Sequence, residues 1–133
     1  EIYQLLYKNQ KSIHLESFLT FPKSFHNEKL NQRWIELINI RNLCNISIEE
    51  KRAAKVIGSS LEAEIRIHLN KNLESITKNI DFSELCITSK AEVKYENNIV
   101  SNVFTEKAKG TKCSMCWKIN EKGCARSNCP QSS

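Results

Sequence analysis

The sequence predicts an α+β fold in three parts: a helical segment, a small α/β unit and a C-terminal four-cysteine zinc finger. Three observations carry this expectation. A period near 3.6 runs through residues 28–45, a period of two replaces it at 63–69, and four of the 6 cysteines fall after residue 112 at metal-ligand spacings. A chain of 133 residues suffices for one ordinary domain or two small ones, but not for a large multi-substrate catalytic core. With 40% hydrophobic and 26% charged residues its composition is globular, and 3 Gly leave no material for an extended phosphate-cradling loop.

Ile2 to Tyr7 is apolar at 2, 3, 5, 6 and 7, as at the end of a helix. KSIHLESFLTFP, with its aromatics and Pro22, reads as an irregular connection packed on a surface. Asn27 is placed to cap a helix from about Glu28 to Asn45, whose stripe of Leu30, Trp34, Leu37, Ile38, Arg41 and Cys44 is expected to face a core. Ser47 and Glu50 have the spacing of a capping box, predicting a second helix that stops at Gly58. Ala63, Ile65, Ile67 and Leu69 alternate with Glu62, Glu64, Arg66 and His68, as in a strand with one wet face. KNLESITKNI predicts a short helix with Leu73, Ile76 and Ile80 inward, and LCITS, AEVKYE and NIVSNVFTEKA predict three short strands. The expected units are 1–58, 59–106 and 107–133.

The net charge is +5, and residues 105–133 contribute +4 of it through Lys107, Lys109, Lys112, Lys118, Lys122 and Arg126 against Glu106 and Glu121. A basic, cysteine-rich tail points to a polyanionic partner; the alternative is a tiny domain kept soluble by its lysines. No run approaches the roughly 20 apolar residues of a membrane span, and EIYQLLYKNQ lacks the order of a secretory signal. We therefore expect a protein that does not enter membranes, cut from within a longer chain, and the metal-ligand spacing of four cysteines fits a reducing, cytoplasmic compartment.

The tail reads Cys113-x2-Cys116, seven residues, then Cys124-x4-Cys129. Two such pairs can close a tetrahedron of thiolates around one ion, with zinc the expected metal and an iron–sulfur centre or two disulfides the alternatives. Four thiolates leave no open position for water, so the role is structural, and zinc binding free energy of about 10 kcal/mol or more can fold a segment poor in apolar side chains. Cys44 and Cys86 stand apart and are expected to be buried, reduced and metal-free. Trp117 either covers the metal site or offers a face on which an unpaired base stacks, while Lys112, Lys118, Lys122 and Arg126 are candidate phosphate contacts.

SIHLESF, RWIELINIRN, KVIGSSLEAEI and AKGTKCSMCW, in this order, resemble the C-terminal part of bacterial isoleucyl-tRNA synthetases, and the resemblance covers nearly the whole chain. It implies the end of a helical anticodon-binding domain (1–58), a small α+β connection (59–106) and a terminal zinc domain (107–133) of the type also found in formamidopyrimidine glycosylases. It implies that Cys113, Cys116, Cys124 and Cys129 hold one structural zinc, and that Trp117, with the basic residues around it, lies near the anticodon arm of isoleucine tRNA. Arg41 falls on the W…R helix of that domain as a contact to RNA or to an acidic neighbour, and Trp34 on the same helix is assigned to the core. The other implied partner is the rest of the synthetase chain, in a monomer. ATP, Mg2+ and the acylation chemistry belong to the full-length enzyme's catalytic core, whose nucleotide-binding motifs are missing here, so no catalysis is expected of this segment alone. The competing readings are a DNA-binding zinc module of a glycosylase and a purely structural C-terminal clasp.

Overall fold

The computed structural model describes residues 2–8, 12–124, 126 and 129–131. A short helix α1 (Ile2–Tyr7) and two 3-10 turns (Ile13–Leu15 and Lys23–Phe25) precede the long helix α2 (Glu28–Ala53). Strand β1 (Ala63–Asn70) leads through the short helices α3 (Glu74–Thr77) and α4 (Phe82–Leu85) into β2 (Lys90–Glu96). Strand β3 (Asn102–Lys107) and a two-strand ribbon, β4 (Thr111–Lys112) and β5 (Ile119–Asn120), are the last elements among the described residues. Among the described residues no helix is long and apolar enough to cross a membrane.

Helix α2 starts as expected, with the Asn27 side chain accepting from the Leu30 amide at 3.0 Å. It then runs without interruption past Asn45, so the predicted second helix does not exist as a separate element. No Gly or Pro interrupts residues 28–53, and Ser47 is needed elsewhere. Its hydroxyl is buried against β3, donating to the Val103 carbonyl at 3.2 Å and sharing a 2.8 Å hydrogen bond with Thr105 Oγ1. The helix ends before Gly58: Lys55 takes the left-handed conformation (φ 57°), and the Lys55 and Val56 amides donate to the Arg52 and Lys51 carbonyls, a Schellman ending with lysine at C′.

The three-stranded sheet has the order β2-β1-β3, with β1 parallel to β2 and antiparallel to β3. The parallel pair requires a crossover, and residues 71–89 provide it. The β1 alternation holds throughout: Ala63, Ile65, Ile67 and Leu69 are all fully buried. Their neighbours point to the wet face, where Arg66 pairs with Glu106, His68 with Glu96 and Lys90 with Glu64. Leu73, Ile76 and Ile80 pack on the core as predicted. LCITS does not form a strand. Asp81 caps a helical turn there by accepting from the Ser83 and Glu84 amides, and Ile87 turns the chain at φ 55° before β2 begins.

One core cluster joins Leu37, Ile40, Cys44 and Ile48 of α2 to Ile57, the β1 residues, Phe82 and Cys86, so helix and sheet share a core across position 58. The predicted stripe of α2 is thus rotated. Leu37 and Cys44 are inside, but Leu30, Trp34 and Ile38 are 57%, 50% and 42% exposed. Trp34 is not a core residue within this chain; it borders an open groove with Phe25, His26, Asn27, Leu30 and Asn31. The helix is apolar on two sides, and the sheet covers only the one centred on Ile40 and Cys44. Phe18, Leu19 and Phe21 of the connection before it are also uncovered.

Candidate metal centre and nucleic-acid interface

The terminal module is built on a knuckle. β4 and β5 pair antiparallel, Thr111 with Asn120 and Lys112 with Ile119. Between them the chain reverses at Cys113–Cys116, closed by the Trp117 amide donating to the Cys113 carbonyl and the Cys113 amide donating to the Lys118 carbonyl. Trp117 completes the reversal in the left-handed region at φ 64°.

This fold brings the four predicted cysteines together. Their sulfurs all lie within 4.8 Å of one another, with Cys113 3.7 Å from Cys129 and Cys116 3.5 Å from Cys124. A disulfide needs about 2.05 Å, whereas sulfurs at tetrahedral corners about 2.3 Å from a zinc ion stand about 3.8 Å apart. All six cysteines are free thiols, and Cys44 and Cys86 sit buried in the core, away from this cluster. The donor set therefore fits one metal ion. Backbone amides of Cys116 and Met115 donate to Cys113 and pull its thiol down to about 6. At Cys124 the Arg126 amide acts in the same direction, but burial and the three neighbouring sulfurs prevail and push that thiol up to about 12. Four thiolates this close repel one another unless a cation joins them.

The candidate RNA contacts divide into two groups. Trp117 is 58% exposed and lies under the Lys112 ammonium, 5.9 Å from its ring centroid, in a cation–π arrangement. Part of its ring is thus open to solvent. Lys122 is exposed beside a cleft also lined by Glu64, Lys90, Lys109 and Cys124. Lys118 and Arg126 turn the other way. Lys118 is only 6% exposed, and its ammonium donates to Glu84 Oε1 at 2.6 Å and to Ser83 Oγ at 3.3 Å. Arg126 donates to the other Glu84 oxygen at 3.0 Å. The Lys118 hydrogen bond, with the charges of Lys118 and Arg126, holds the Glu84 carboxyl below its ordinary range. Arg41 lies outside the module: half-buried on α2, it donates through Nε to the Leu85 carbonyl at 3.0 Å.

Ser89 completes the docking. Its buried hydroxyl donates to the Leu61 carbonyl and accepts from the Ile119 amide at 2.6 Å, joining β5 to the foot of the sheet. Sequence reading did not single out Glu84 or Ser89. The D-x-x-E spacing of Asp81 and Glu84 could have located the helical turn, but no local signal ties either residue to a lysine beyond position 110.

Over 126 residues, 95% of its length, the chain is 57% identical to the isoleucine–tRNA ligase of Pelagibacter ubique (strain HTCC1062). It is homologous to the isoleucine–tRNA ligases. Ligases of that name from Bartonella henselae and Bradyrhizobium diazoefficiens are each 34% identical, over 86% and 84% of this chain. The chain spans only 14%, 13% and 12% of the length of these three ligases. No protein-family model matches it. The match to the Pelagibacter ligase spans nearly the whole chain, the shared core of helix and sheet included.

Proposed function

We propose that this chain is the C-terminal tRNA-recognition portion of an isoleucine–tRNA ligase, in which a zinc-stabilised module meets the anticodon arm. The observation that carries the reading is the 57% identity over 95% of the chain, joined to four sulfurs within 4.8 Å in the module that bears the exposed tryptophan. Cys113, Cys116, Cys124 and Cys129 would hold the ion. Zinc with four thiolates supplies shape and no reactive position. Trp117 offers a stacking face to a splayed loop base, and Lys112 and Lys122 offer charge to phosphates. ATP, Mg2+ and isoleucine are handled by the catalytic core of the longer enzyme, in the cytoplasm, where the metal-binding thiols stay reduced. Residues 1–58 then close a helical anticodon-binding domain. The uncovered Leu30, Trp34 and Ile38 support that assignment, since a longer chain has further helices to lay against them.

The test is a binding titration of isoleucine tRNA against an unrelated tRNA over a range of salt. Trp117→Ala is expected to cost about 1–3 kcal/mol of binding, and Lys112→Ala to reduce the salt slope by somewhat under one unit. Equal affinity for both tRNAs, or no effect of Trp117→Ala, would refute this reading. A second reading, a purely structural clasp, gains support from the buried Lys118 and its contact with Glu84. Under it, deleting residues 108–133 from the full enzyme lowers stability and leaves tRNA affinity unchanged. The glycosylase alternative has no support in a match to ligases that spans nearly the whole chain.

A further inference from the structure

We infer that Glu84 is a positioning residue: it clamps Lys118 and Arg126 so that the metal module is held in one orientation on the sheet, and the buried Lys118 is withheld from phosphate. The orientation of the module matters for RNA only on the reading proposed above, but the clamp itself is a property of this fold. Four observations converge on it. Both Glu84 oxygens are used, one by each cation, at 2.6 and 3.0 Å. Lys118 is 6% exposed, so its ammonium cannot reach a phosphate without leaving Glu84. Asp81 and Ser83 surround the same ammonium: Ser83 accepts from it, and the lysine charge contributes to lowering the Asp81 carboxyl. Finally, β5 is tied independently to Ser89 through the Ile119 amide. A lysine this desolvated is tolerated only with a carboxylate beside it. The chain places that carboxylate on a helical turn fixed by the Asp81 cap, in the sheet unit rather than in the module itself.

The consequence has a definite sign. If Lys118 and Arg126 were phosphate contacts restrained by Glu84, neutralising Glu84 would free two cations, strengthen tRNA binding and steepen its salt dependence. As a clamp, Glu84 has the opposite effect. In the zinc-loaded, full-length protein, Glu84→Gln is expected to speed hydrogen exchange at the Ile119 amide by about tenfold or more as the docked ribbon loosens. It should retain one metal ion per chain and weaken tRNA binding several-fold with the salt slope unchanged. Lys118→Met keeps the apolar stem and leaves Glu84 paired with Arg126, so it serves even if Glu84→Gln fails to fold. It should speed Ile119 exchange and leave the salt slope as it was.

Tighter, more salt-sensitive tRNA binding by Glu84→Gln would overturn the inference. So would a lower salt slope in Lys118→Met, or unaltered Ile119 exchange in the variants. Failure of the unsubstituted protein to bind tRNA would instead refute the proposed function, while the exchange measurement would still decide on the clamp.

Discussion

Replacing Gly110 by alanine should separate the metal module from the rest of the chain more cleanly than removing a ligand. Gly110 has φ +120°, a region that alanine avoids, and an added Cβ would run into the carbonyl group of Asn120 and approach the Glu121 nitrogen to 2.6 Å. These are backbone atoms of the partner strand. They cannot give way freely, because Asn120 is paired with Thr111 and the adjacent Ile119 is bonded to Ser89. Backbone strain alone costs about 1–3 kcal/mol, and the collision adds to it, so we expect a loss of about 3 kcal/mol. Since metal binding and folding of such a module are one equilibrium, that loss corresponds to about two orders of magnitude in zinc affinity.

Two other glycines provide the controls. Gly123 also has positive φ, +92°, but nothing lies within 4 Å of an added Cβ, so Gly123→Ala carries strain of about 1 kcal/mol and no collision. Gly58 has ordinary φ and would meet only the Glu62 side chain at 3.6 Å; Gly58→Ala should be neutral or stabilise by up to about 1 kcal/mol. Competition with a chromophoric zinc chelator measures all three. Gly110→Ala within about threefold of the parent, a change of under 1 kcal/mol, would refute the geometry. So would Gly123→Ala weakening zinc binding more than Gly110→Ala.

Three more outcomes follow from particular positions. Ser47→Ala removes the hydroxyl shared with the buried Thr105 and should cost about 1–2 kcal/mol in urea unfolding, less a small gain in helix propensity. Glu50→Ala, on an exposed position in the last turn of α2, should fall within about 0.5 kcal/mol of the parent, where a capping box would lose more. The carboxyl of Glu84 is lower in the folded chain than its ordinary 4.5, so its ion pairs stabilise the folded state above that pH and lose their contribution as pH falls through and below it. Acid unfolding of Glu84→Gln should therefore lack one component between about pH 5 and 3 that the parent shows. Parallel acid limbs for the two proteins would contradict the pairing.

Local chemistry was enough to place several elements. Asn27 announced the start of α2, because a side chain three residues from the amide it caps needs nothing from the rest of the fold. The two-residue alternation of Ala63, Ile65, Ile67 and Leu69 fixed β1 and its inner face, since a strand with one buried face can be read from polarity alone. Cysteine spacing marked the four sulfurs, because thiolates have few other reasons to occur in such pairs. What the sequence could not decide were features that depend on residues distant along the chain. Ser47 has the spacing of a cap yet serves as a buried bond to β3, because backbone and hydroxyl groups of Val103 and Thr105 arrive there only when the sheet forms. Helix α2 is apolar on two sides, and only the position of the sheet selects the side centred on Ile40. Lys118 looks from its neighbours like any surface lysine, and only the tertiary fold sets Glu84 beside it and takes it out of water.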